Sequence, residues 1–130
     1  MATWDDVHRL VAALPGTDVH PSYGGRPSWR VGGRAFVWDR PLTPKDRDDL
    51  GASAPPQDEP LLGVRLPDEG VKAALLADDP EAVLTTPHFD GYPVVLVRLE
   101  RVADDALAEL VEEAWRARAP RSLVAERDDR

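Results

Sequence analysis

With 130 residues, 42% of them hydrophobic and 31% charged, the chain has the size and composition of one globular domain that buries its own core without a metal or disulfide staple. It contains no cysteine, which excludes disulfides, thiolate catalysis and cysteine-ligated zinc or iron–sulfur centres. The net charge of −8 disfavours general attraction to a polyanion, although residues 1–40 carry +1 while 41–90 carry −7 and 91–130 carry −2, which leaves room for a local basic surface.

The start, Met1-Ala2-Thr3-Trp4-Asp5-Asp6, is acidic and polar where a secretory signal needs a basic stretch followed by an apolar run. No apolar segment approaches the roughly 20 residues of a membrane span. These features predict a cytoplasmic protein that does not enter a membrane. Thr3 caps a first helix with Trp4, Val7, Leu10, Val11 and Leu14 at helical spacing, ended by Leu14-Pro15-Gly16. Thr17 to Pro27, rich in Gly, Pro, Ser and Asp, reads as a loop.

Ser28 to Val31, Gly32-Gly33 and Arg34 to Trp38 predict a β-hairpin on a two-residue turn with positive φ angles. The simplest register sets Val31 opposite Arg34 and Trp29 opposite Phe36, so that Trp29, Val31, Phe36 and Trp38 share one face. Asp39 to Pro60 is a polar, proline-rich excursion in which Thr43 to Leu50 can form a short helix ended by Gly51. A strand follows over Leu61 to Leu66, then a helix capped by Asp68 and running through Ala77, with Val71, Ala74 and Leu75 inward. Ala82 to Thr86 and Pro93 to Leu99 form a second hairpin around the loop Pro87 to Tyr92; Val94 to Val97, apolar on both faces, marks an interior strand. The last long helix runs from near Asp104 to about Arg118; Pro120 breaks it, Leu123 and Val124 can dock, and the tail within 120–130 frays. No internal repeat or composition shift divides residues 1–130. The fold class is α+β: a single domain with a mainly antiparallel sheet of about five strands and helices packed on it.

No catalytic centre is visible, and neither a metal nor a cofactor is implied. His8, His20 and His88 show no metal-ligand spacing. The acidic clusters Asp46, Asp48, Asp49 and Asp78, Asp79, Glu81 match no EF-hand and read as solvated surface. Ser22, Thr85 and Thr86 lie outside any nucleophile elbow, and Gly24-Gly25 and Gly32-Gly33 are turns rather than phosphate loops. Two groups remain. Arg26, Arg30, Arg34 and Arg40 interleave with Trp29, Phe36 and Trp38. They are either arginines set against nucleic-acid phosphates or the solvent cover of a hairpin whose aromatics are core. His88 shares a loop with Asp90 and Tyr92; together with Tyr23 these side chains can hydrogen-bond a ligand.

Pro21-Ser22-Tyr23-Gly24, the hairpin Trp29 to Phe36, Thr85-Thr86-Pro87-His88-Phe89-Asp90-Gly91-Tyr92-Pro93 and Glu113-Ala114-Trp115-Arg116 together resemble MmcQ/YjbR-like proteins. The resemblance runs from the first helix to about Val124. It implies a small α+β fold of the YjbR/CyaY-like kind and a family label of DNA-binding protein, and it brings no catalytic residues with it. The expectation is a non-enzymatic binding domain, with DNA at the arginine hairpin as one partner. The alternative is a small molecule or protein held by the Tyr23 and His88 to Tyr92 loops, and an enzyme using His88 as acid or base ranks last.

Overall fold

The computed structural model describes residues 1–129; the side chain of Tyr23 and residue 130 lie outside the described residues. The chain forms one sheet of six antiparallel strands in the order β1-β2-β3-β4-β6-β5. Its elements are α1 (Trp4–Ala12), β1 (Thr17–Pro21), β2 (Pro27–Val31), β3 (Arg34–Asp39), α2 (Pro44–Leu50), β4 (Leu61–Arg65), α3 (Glu69–Asp78), β5 (Val83–Leu84), β6 (Val94–Arg98), α4 (Asp104–Arg118) and α5 (Arg121–Asp128). This is an α+β domain.

Local chemistry accounts for the helix starts. Thr3 and Asp6 close a capping box on α1, Thr43 and Asp46 close another on α2, and the Asp68 carboxylate accepts from the Val71 N–H at the start of α3. α1, α3 and α4 cover one face of the sheet over the main core, which includes Val7, Val11, Val31, Phe36, Val37, Val64, Val95, Val97, Leu107 and Val111. Trp115 is fully buried there and its indole N–H donates to the Pro15 carbonyl at 3.1 Å, tying α4 to the turn after α1. The opposite face carries a smaller cluster of Leu61, Phe89, Val94 and Leu96, joined by Trp38, Leu42 and Leu84. Strands β4 and β6 are therefore apolar on both faces, as the uninterrupted run Val94 to Val97 implies.

Four features depart from the sequence expectation. Thr17–Pro21, read as loop, is the edge strand β1, making six strands rather than five. Its side chains are mostly exposed, so it has none of the apolar alternation that would have announced it. In the β2–β3 hairpin the Gly32-Gly33 turn has φ of 57° and 79°, and Val31 pairs with Arg34 as expected, but the register then slips. Trp29 faces Val37, not Phe36, and Ser28 faces Trp38. A β-bulge at Phe36 sends both Phe36 and Val37 into the main core and turns Trp38 to the opposite face. On α3 the inward positions are Val71, Leu75 and Lys72, while Ala74 is exposed. Lys72 is 6% exposed because its ammonium donates to the Phe89 and Tyr92 carbonyls at 2.7 and 2.8 Å. The segment after Pro120, expected to fray in part, is helical over Arg121–Asp128 and is held to α4 by Arg127–Glu112 and Arg116–Asp128 pairs, with Leu123 against the core.

Candidate anion-binding site

The bulge decides what stands beside the hairpin. Because Ser28 pairs with Trp38 and Arg30 with Ala35, these four residues share the face opposite the main core. Ser28, Ala35 and Trp38 wall a concavity of about 370 Å³ that Ser22, Val94 and three arginines complete: Arg34 at the start of β3, Arg65 at the end of β4 and Arg118 in the last turn of α4. The Trp38 ring lies flat against Gly63 of β4, so closely that a Cβ on Gly63 would stand 2.5 Å from it. Glycine is thus required there for the ring to lie down as one wall.

No carboxylate lines this pocket, and none of the three arginine side chains makes an ion pair or hydrogen bond among the described residues. The Arg118 Nε is buried without a partner. Burial, together with the facing charges of Arg65 and Arg34, pulls the Arg118 pKa below the ordinary arginine value. Three like charges drawn from three elements into one concavity repel one another, and a bound anion converts that repulsion into charge-assisted hydrogen bonds. A buried donor with no partner has the same remedy.

The other arginines are differently placed. Arg26 stands 3.3 Å from Asp39, whose carboxyl is raised by burial in spite of that cation. The Arg30 Nε lies 3.5 Å from Asp18, an ion-pair distance without a hydrogen bond. Arg40 pairs with Asp46 at 3.0 Å, donates to the Pro41 carbonyl and lies over the Phe89 ring at 5.2 Å. Of the four arginines singled out in the sequence, only Arg34 enters the pocket. Arg65 and Arg118 come from distant segments and carry no local signal.

The loop residues separate likewise. Ser22, beside Tyr23, lines the arginine pocket, whereas His88 lines a different concavity with Thr43, Lys45, Asp46, Asp49 and Pro87. His88, Asp90 and Tyr92 are exposed; the His88 ring packs edge-on against Phe89, and none of the three side chains makes a hydrogen bond to the described residues. His8 accepts from the Trp29 indole at 3.4 Å and acts as a boundary residue between α1 and β2. Among the described residues no group of three or more His, Asp or Glu side chains could hold a metal ion, and no helix is long and apolar enough to cross a membrane.

Residues 12–117 match the YjbR family. The chain belongs to that family. Its relatives include uncharacterised proteins of Mycobacterium tuberculosis (Rv2570) and Mycobacterium bovis (Mb2600). Each is 50% identical over 126 residues that span 95% of this chain and 94% of the relative. A similar fold occurs in the crystal structure of DR2400 of Deinococcus radiodurans, which has a DUF419 domain. The TM-score is 0.63 at 21% identity, covering 88% of this chain and 77% of that one. YjbR membership thus agrees with the resemblance carried by the hairpin and the Thr-Pro-His loop.

Proposed function

We propose that this YjbR protein is a cytoplasmic binding module, not an enzyme, that takes a compact polyanion, a small molecule bearing phosphate or carboxylate groups, in the pocket of Arg34, Arg65 and Arg118. The observation that carries the reading is the convergence of three arginines without carboxylate partners on one concavity, with the Arg118 Nε buried and unpartnered. Guanidinium forks suit the bidentate geometry of phosphate and carboxylate oxygens. The Trp38 ring and the Ser22 and Ser28 hydroxyls line the same pocket, so an apolar or planar part of the ligand has a wall and polar groups to meet.

Nucleic-acid phosphate is the second source of the same chemistry. It is supported by the position of Arg34 on the hairpin, but Arg26, Arg30 and Arg40 are engaged by Asp39, Asp18 and Asp46. Binding along a duplex draws on many unneutralised cations, and the net charge is −8.

Thermal melts with inorganic pyrophosphate as the probe test the reading, alongside mobility shifts of labelled duplex and single-stranded DNA at low salt. Pyrophosphate is expected to raise the melting temperature; at 100 times its Kd it adds about 2.7 kcal/mol. Arg34→Ala with Arg65→Ala should abolish the gain while melting no lower than the parent without ligand, since the change relieves repulsion. DNA should not shift. Melts unmoved by pyrophosphate overturn the proposal, and a DNA shift lost in the double variant transfers the site to nucleic acid.

A further inference from the structure

A second concavity, of about 400 Å³, lies between α3 and α4 and shares no residue with the arginine pocket. Leu66, Val71, Leu75, Val83 and Leu110 give it an apolar floor. Its α3 wall presents Val71 and Leu75 at i and i+4, with Asp79 at the C-cap at i+8, and its α4 wall presents Ala106, Glu109, Leu110 and Glu113 at i, i+3, i+4 and i+7. At 1.5 Å per residue these are straight stripes of about 12 Å and 11 Å, the length of roughly two helical turns.

The rim is acidic. Asp79, Glu109 and Glu113 form no ion pair among the described residues, whereas Glu112 is taken by Arg116 and Arg127, and Arg116, the one cation at the groove, is shared between Glu112 and Asp128. The Glu112 carboxyl is accordingly held below the usual range, by Arg127 first and then Arg116.

We infer that this groove docks a basic amphipathic helix of a partner protein, its apolar face on Leu75 and Leu110 and its Lys or Arg side chains against Asp79, Glu109 and Glu113. Two straight walls about two turns long match the helix-in-groove mode of recognition. Charge complementarity selects a cationic occupant and disfavours a second copy of this acidic chain. Apolar contact supplies affinity, and the rim carboxylates set orientation and encounter rate.

The test uses the full chain and a fluorescein-labelled synthetic Leu/Lys helix with leucines at i, i+3, i+4 and i+7, compared by anisotropy with a scrambled peptide of identical composition. The patterned peptide should bind about tenfold or more tightly than the scrambled one. Glu109→Lys with Glu113→Lys, at two exposed positions that make no ion pair among the described residues, should weaken it by a similar factor. Leu75→Glu, checked for folding by circular dichroism, should do so even at high salt. Equal affinity for the two peptides, no binding of either, or binding indifferent to the Glu→Lys pair overturns the inference.

Discussion

Gly63 and Trp38 meet at a distance that leaves no room for a methyl group. A Cβ on Gly63 would lie 2.5 to 2.9 Å from three ring atoms of Trp38, and the ring cannot retreat without giving up its place against the sheet. Gly63→Ala should therefore cost about 1–3 kcal/mol in urea unfolding, although alanine is otherwise better suited to a strand than glycine; an unchanged midpoint would show that the ring moves freely. Lys72 is the other residue whose role is set by its contacts. Lys72→Met keeps the apolar stem on α3 but strips two carbonyls, those of Phe89 and Tyr92, of their charged donor. The expected loss is about 2–3 kcal/mol, with faster amide exchange confined to residues 87–92. Exchange that rises evenly over the molecule would mean that Lys72 does not hold that loop. Neither role was legible in the sequence: Gly63 reads as an ordinary strand residue, and Lys72 as one more solvated charge.

At the scale of elements, the signals that could be read were those carried within a few residues. Thr3, Thr43 and Asp68 announced their helices, and Gly32-Gly33 announced its turn, because a cap or a primed turn is settled locally. The bulge at Phe36 was not legible, since it depends on which core position β3 must fill after the turn. The polar excursion shows a further limit of composition. Asp46, read with Asp48 and Asp49 as solvated surface, is instead 1% exposed and holds α2 through its bonds to Thr43 and Arg40. Burial acts to raise the Asp46 carboxyl, but the Thr43 backbone and hydroxyl donors and the Arg40 guanidinium outweigh it, and its pKa lies below the ordinary value of 3.8. A depressed carboxylate contributes stability that is present above its unfolded pKa and is lost as pH falls through the folded one. Urea midpoints should thus fall between about pH 5 and pH 3, and Asp46→Asn should lie below the parent at pH 6 with a flatter slope over that interval. Parallel slopes would contradict this assignment.

Over the whole molecule, the sequence was enough to expect an α+β domain with an antiparallel sheet and helices packed on it, because apolar periodicity and turn residues recur in every segment of the main core. The arginine pocket was legible only in part. Arg34 stood out beside the aromatic hairpin, yet Arg65 and Arg118 reach it only after β4 has paired with β3 and α4 has crossed the sheet. A site assembled by tertiary packing has no local spacing to betray it. The same packing neutralised Arg26, Arg30 and Arg40 with carboxylates that the sequence does not visibly assign to them. The most direct measurement is a titration of the full chain with inorganic pyrophosphate, followed through the side-chain Nε–H signals of its arginines by NMR. The signals of Arg34, Arg65 and Arg118 should shift together and saturate at one equivalent site, while those of Arg26 and Arg40, held by Asp39 and Asp46, hold still. Arginine signals that do not move, or that all drift without saturating, would contradict the account.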